Sequence, residues 1–302
     1  FECFFGFLNI FCGFLFFSLT NHRFGRILLS GSMFSGLQDT LSGQSTASSP
    51  GSEVIIMIQL DVHTHSISSG HGTACTIADM AKAAKKQELS LLGISDHGPA
   101  TLCAGTPSYF KNLQMAPKMR CGIRMLYGVE LNILDYSGRV DLEQGILSGM
   151  DYAVISMHTK NIKPGNMLEN TNAYIGAMDQ PKVRIVGHCD DVKFPVDYKA
   201  LAEAAAAHHV MLEINNSSIM PGGYRGNTIE NNIQMLYQCM RYEVPVLLSS
   251  DSHGPKNVGN VKGSEILLDA CREVFGFPDR LVMSYDIDRF LDYIRIDRFD
   301  RS

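Results

Sequence analysis

Seven short aliphatic and β-branched runs recur along the chain after residue 56, at 58–62, 90–95, 125–131, 152–157, 183–187, 210–214 and 246–250. They are apolar at nearly every position rather than at alternate ones, which is the pattern of strands buried on both faces. Between several of them, helical spacing of apolar residues predicts helices over 77–87, 198–208, 228–241 and 264–274, with a closing helix over 286–294. The first of these opens on Thr76 with Asp79 three residues later, a pair suited to capping two otherwise unpaired amides. Strands and helices in this alternation predict an α/β fold with a parallel sheet under a layer of helices. A barrel of about seven strands is the simplest closure, and an open doubly wound sheet is the alternative. No repeat of 20–50 residues supports a solenoid.

The first 56 residues follow a different pattern. They hold ten of the sixteen Phe residues but only five of the fifty-seven charged ones, and one of ten histidines. Residues 1–17 form an apolar aromatic run, marginal in length for a membrane span and without a basic segment ahead of it. Residues 41–52 read as a Ser/Gly/Thr-rich linker. The expected organisation is therefore an N-terminal extension, 1–56, disordered or absent from the mature protein, followed by one domain at 57–302. A signal or anchor and a folded element are the competing readings of the extension.

Composition narrows the function classes. With 45% hydrophobic and 19% charged residues, the chain falls outside disordered, collagen-like and polytopic membrane classes. A net charge of −5, with no basic stripe interleaved with aromatics, argues against a long nucleic acid as partner. No membrane partner is expected for 57–302, and a homo-oligomer stays open. The eight cysteines form no C-x-x-C pair, so a reduced, cytoplasmic protein is the simpler expectation, with Cys189 a buried filler rather than a ligand.

The histidines carry the chemistry. Seven of the nine beyond residue 56 fall at or just after the end of an expected strand, where α/β folds place their sites. The first strand ends in Asp61-Val62-His63-Thr64-His65, and His71 follows. Residues i and i+2 of a strand point to one side, so His63 and His65 can meet one ion. Later strands end in Ser95-Asp96-His97-Gly98, Gly128-Val129-Glu130, Met157-His158, Gly187-His188 and Ser250-Asp251-Ser252-His253. Nine ligand-type residues exceed the coordination of one ion and suffice for two or three. Imidazole-rich mixed sites suit zinc best, then manganese or iron, over calcium or magnesium. His208 and His209 lie at a helix end ahead of a strand, and are excluded from the site.

In this order the motifs D-x-H-x-H-S, S-D-H-G, G-x-E, x-H, G-H and S-D-S-H resemble those of the polymerase and histidinol phosphatase (PHP) family of metal-dependent phosphoesterases, from Met57 to at least Val274. Compact single-domain bacterial phosphatases with three metals look closest, partly through Leu212-Glu213-Ile214-Asn215-Asn216-Ser217-Ser218. The resemblance implies a distorted seven-stranded (β/α)7 barrel and hydrolysis of a small phosphomonoester by a metal-bridging hydroxide at a trinuclear site. Carried over, His63, His65, Glu130 and Asp251 hold one ion, Glu130 bridges to a second bound by His158 and His188, and His71, His97 and His253 hold the third. Lys160 and Arg225 are candidate contacts for the phosphate or for a second substrate charge. Asp96 is a candidate for orienting a ligand histidine or assisting proton transfer. The rival functions are an amidohydrolase-type metal hydrolase and a PHP module that binds metal without catalysis.

Overall fold

The strands pair as the apolar runs predict. A computed structural model describes residues 57–295, so the expectations for residues 1–56 lie outside it. Seven parallel strands form one sheet in the order β1 (Leu60–Asp61), β2 (Leu91–Ile94), β4 (Ile123–Asn132), β5 (Tyr152–Ser156), β6 (Val183–Val186), β7 (Met211–Asn215) and β8 (Val246–Ser249). A short β3 (Met119–Arg120) pairs antiparallel with the start of β4. The sheet curls into a nearly closed barrel. Its two edges meet without a full ladder: the His65 amide donates to Ser252 O at 2.8 Å near the top. Lower down, Ser284 bridges them, its carbonyl accepting from Gln59 N and its hydroxyl bonding both N and O of Leu248. The first strand, Leu60–Asp61, is shorter than the run 58–62 suggests, although the chain still touches both neighbours above it, Thr64 O accepting from Ser95 N at 2.9 Å and His65 N donating to Ser252 O.

The expected helices form as α1 (Ile77–Lys86), α5 (Tyr198–His208), α7 (Ile229–Tyr242), α8 (Lys262–Phe275) and α9 (Ile287–Arg295). The capping pair on α1 is made in both directions, Thr76 to Asp79 N and Asp79 to Thr76 N. Four helices were not legible as apolar periodicity: α2 (Pro107–Leu113), α3 (Gln144–Leu147), α4 (Met167–Met178) and α6 (Asn216–Ile219). Three are two turns or less, and α4 buries Asn170 and Thr171 beside Ala173 and Tyr174, which blurs its apolar stripe. Its reciprocal cap, Asn166 with Glu169, was present in the sequence as a start signal.

Two apolar layers result. Outward-facing strand residues such as Leu92, Met125, Val129, Ile155, Leu212 and Leu248 pack beneath the helices. The inward-facing set, Leu60, Leu91, Leu126, Tyr152, Ile185, Met211 and Leu247, fills the lower barrel and is closed from below by Phe290, Leu291 and Ile294 of α9. Tyr152 crosses this interior, its hydroxyl donating to Val62 O at 2.5 Å. A Cβ at Gly93 would stand 2.3 Å from that hydroxyl, and one at Gly128 2.6 Å from the ring. Both glycines are thus required by one aromatic side chain. No helix among the described residues is long and apolar enough to cross a membrane.

Candidate metal centre

The inward-facing positions change character on ascending each strand. Two residues above Met211 stands Glu213, and four above Leu126 stands Glu130, because strand side chains alternate with period two. Both carboxylates are buried, at 0% and 1% exposure. Above them the strand ends and following loops bring together all nine residues singled out by position. Glu130 lies at the centre: His97 Nδ1 is 2.5 Å from its Oε2, and His188 Nε2, His158 Nε2 and His63 Nε2 lie 2.9, 3.3 and 3.4 Å from its Oε1. Asp251 gathers the rest, with His65 Nε2 at 3.2 Å and His253 Nδ1 at 3.7 Å from Oδ1. His71 sits at the exposed mouth, its ring stacked 4.8 Å from that of His97.

The imidazole hydrogen bonds discriminate a metal site from a hydrogen-bonded histidine cluster. His63 Nδ1 meets Glu213 Oε1 at 2.5 Å, His65 Nδ1 meets Ser69 Oγ at 2.8 Å, and His158 Nδ1 meets Asn132 Oδ1 at 2.8 Å. His253 Nδ1 meets the carbonyl of Asp251 at 3.2 Å. Glu213, Asn132 and Asp251 present oxygens that only accept, and the Ser69 hydroxyl donates to Asp96. Nδ1 therefore carries a proton in each case, and in the neutral ring the lone pair falls on Nε2. In these same four residues Nε2 is buried without a hydrogen-bond partner. Lone pairs held out of water and aimed at carboxylates suit a cation, and this donor set fits zinc, manganese or iron.

Among the described residues, three clusters have ligand atoms within 4.8 Å of one another: His63, His65 and Asp251; His97, Glu130 and His158; and His65, His97 and His253. The first lies within the first expected group, whereas the second joins Glu130 and His158 to His97, which was expected at the third ion, with His188 2.9 Å from Glu130. The third takes His65 where His71 was expected, since His71 stands further out at the mouth. Burial pulls the pKa of His65 well below the usual range, helped by His253 and His97, and pulls His188 down to about 4. His71 and His253 are lowered by burial too. Burial acts in the same direction on His63 and His97 but is overcome, by Glu213, Glu130 and Asp251 around the first and Glu130 beside the second, so both are raised. Burial would raise Glu130 and Asp251, yet the surrounding histidines, with Arg225 beside Asp251, hold both well below the carboxylate range. The centre thus sets carboxylates held toward the anion among imidazoles of two kinds, His65, His71, His188 and His253 pushed toward the neutral form and His63 and His97 toward the cation.

Two of its residues occupy backbone conformations that side chains rarely adopt, His188 with φ 27° and Asp251 with φ 51°. Glu213 holds the first: its Oε2 accepts from the His188 amide at 2.7 Å, while its Oε1 meets His63 and Ser249 Oγ. Asn215 then ties Glu213 to Asp251, at 3.0 and 3.2 Å. In the sequence, Glu213 and Asn215 stand out only as part of the segment Leu212-Glu213-Ile214-Asn215-Asn216-Ser217-Ser218. Their i, i+2 placement at a strand end, the same signal that singled out His63 and His65, was available. Ser69 and Asn132 gave no such signal, because only the folded chain brings them to a ring nitrogen.

Arg225 is buried, its Nη2 donating to Asp251 Oδ2 at 2.9 Å and its Nη1 to Ser218 Oγ and Asn215 Oδ1. Lys160 is exposed and lines the same cavity, of about 400 Å³, that opens over the centre. Asp96 is buried and accepts from Ser66 N, Ser66 Oγ, Ser69 Oγ and Tyr109 OH. Through Ser69 it is one link from His65, so the geometry fits the orienting role rather than proton transfer. The excluded histidines lie elsewhere: His208 pairs with Asp179, and His209 stacks on Tyr293. Cys189 is buried against the Met235 sulfur, as a filler would be.

Comparison with known proteins agrees with this geometry. Residues 61–217 match the PHP domain model. A probable phosphatase of Clostridium novyi is 33% identical over 236 residues, covering 78% of this chain and 94% of the relative, and one of Acetivibrio thermocellus is 34% identical over a similar span, 78% and 95%. Among solved structures, histidinol phosphate phosphatase from Lactococcus lactis, complexed with zinc, L-histidinol and phosphate, superposes with a TM-score of 0.52 at 16% identity, over 72% of this chain and 94% of that one. That likeness carries the barrel alone; the family model and the curated relatives carry more, and by them this chain belongs to the PHP domain family.

Proposed function

We propose that the protein is a metal-dependent phosphatase acting on a small phosphate monoester, with two to three divalent ions, zinc foremost, held by His63, His65, His71, His97, Glu130, His158, His188, Asp251 and His253. The observation that carries this reading is the shared state of His63, His65, His158 and His253, each with Nδ1 satisfied and Nε2 buried and unpaired. When bound, such ions lower the pKa of water for in-line attack on phosphorus and offset the charge of the phosphoryl oxygens. The chain's own contribution is to fix the imidazole tautomers through Glu213, Ser69 and Asn132, and to hold Asp251 through Asn215 and Arg225. Arg225, at the cavity wall, also stands where it can meet a phosphoryl oxygen, and Lys160 lies at the same cavity. The curated relatives are named probable phosphatases, which supports this class over C–N hydrolysis. The complete ligand set supports a catalyst over a PHP module that binds metal without turnover.

The test is metal analysis of the full chain coupled to 4-nitrophenyl phosphate turnover with and without chelator. The expected result is at least two ions per chain and turnover that is lost on chelation and restored by metal. Fewer than two ions, or full activity after complete metal removal, would overturn the reading.

A further inference from the structure

The cavity over the centre is chemically two-sided. Its lining combines residues of the ligand cluster with a second set, Lys160, Asn161, Lys193 and Tyr224. A further lining cation, Arg225, already faces Asp251 and is neutralised by it. Lys160 and Lys193 are different, because neither forms an ion pair with a carboxylate among the described residues. Lys193 is nonetheless placed: its Nζ donates to Tyr224 O at 2.5 Å and lies 5.0 Å from that ring's centroid. A neutral carbonyl and an aromatic face orient an ammonium without cancelling its charge. Lys160 is set just beyond His158 by a turn in which the Asn161 amide donates to His158 O at 2.8 Å. The counter-charge at this wall is Asp191, whose Oδ1 is occupied by the Lys193 amide. Two lysines against one aspartate leave the wall net positive.

Building on the phosphatase reading above, we propose that the substrate is a phosphate monoester bearing a second anionic group, a carboxylate or another phosphate, received by Lys160 and Lys193 while the first phosphate sits at the metal centre. The cavity, at about 400 Å³, has room for both groups of a small molecule. The same wall repels a leaving group that carries an ammonium. Charge complementarity across a partly exposed pocket discriminates by roughly tenfold rather than by orders of magnitude.

The experiment uses the full-length, metal-loaded protein and three phosphomonoesters of similar size: 3-phosphoglycerate with a carboxylate, glycerol 3-phosphate with neutral hydroxyls, and phosphoethanolamine with an amine. The expected order of kcat/KM is carboxylate, neutral, amine, with about tenfold between the first two. Equilibrium binding of 3-phosphonopropionate, ethylphosphonate and 2-aminoethylphosphonate gives a readout free of turnover and should follow the same order. The double variant K160E/K193E should invert both orders. Metal-dependent turnover of 4-nitrophenyl phosphate with no charge preference in either series, or ratios unmoved in the double variant, overturns this inference and leaves the phosphatase reading standing. Absence of metal-dependent turnover of any monoester overturns both.

Discussion

The lower and upper halves of the barrel interior are built by the same strands, yet they obey opposite rules. Below, Leu60, Leu91, Leu126, Ile185, Met211 and Leu247 close around Tyr152, and α9 seals them with Phe290, Leu291 and Ile294. Contacts there remove apolar surface from water, and the polar atom that crosses, the Tyr152 hydroxyl, is satisfied by Val62 O. Above, within one or two steps along the same inward-facing columns, stand Glu130, Ser156, Glu213 and Ser249, all buried. Burying two carboxylates is costly unless they are paired and hydrogen-bonded. Glu213 is so bonded, by four partners drawn from His63, His188, Asn215 and Ser249. Glu130 is bonded only in part, its Oε1 meeting His188 Nε2 at 2.9 Å, while its Oε2 and the Nε2 atoms of His63, His65, His158 and His253 have no hydrogen-bond partner, and that imbalance separates the rim from the structural floor. The floor supplies stability, and the rim spends part of it on strained residues such as His188 and Asp251.

Mutations should divide along this boundary. Replacing His63 or Asp251 by alanine removes a proposed ligand and is expected to lower kcat/KM for 4-nitrophenyl phosphate by about 10³-fold or more, ~4 kcal/mol of transition-state stabilisation, with the circular dichroism spectrum retained. Loss of fold in both variants would erase the distinction. Phe290→Ala in the floor should do the reverse. It is expected to cost about 3–5 kcal/mol in denaturant unfolding while the folded fraction keeps its turnover. A matching loss of specific activity would show that the floor and the rim are mechanically coupled.

Glu213→Gln sits on the boundary itself. The amide keeps the shape but cannot accept from His63, His188, Asn215 and Ser249 as the carboxylate does, so metal affinity, read by competition with a chelator, should fall about 10- to 100-fold. Retention of wild-type affinity would reduce Glu213 to a packing residue. The smallest effect is expected at His208→Ala, outside both regions, where loss of the surface pair with Asp179 should change stability by less than about 0.5 kcal/mol and leave turnover intact. A loss comparable to that of His63→Ala would break the division of the histidines into site and non-site groups.

The legibility of the chain follows the same division. The strands of the barrel were readable because burial on both faces demands unbroken apolar runs, and α1, α5, α7, α8 and α9 because one buried stripe demands helical spacing. The short helices α2, α3 and α6 left too few turns for a period to register. All nine ligand-type residues were readable from position alone, since strand ends converge on one rim of a parallel barrel. Their grouping was less so: His71 was expected to share an ion with His97 and His253, and the closest cluster takes His65 instead. That choice depends on how far the loop after Ser69 carries His71 outward, which no residue type encodes.

By itself, then, the sequence determined the alternation of buried strands and helices and the rim on which the ligand-type residues gather, because these follow from periodicity and from where strands end. The tertiary structure alone decided which nitrogen of each histidine is left bare, that Glu213 and Ser69 set that choice, and that Arg225 is committed to Asp251 while Lys193 stays unneutralised. Those outcomes rest on contacts between residues up to 150 positions apart, as for His63 and Glu213. Only closure of the barrel brings such residues within hydrogen-bonding distance.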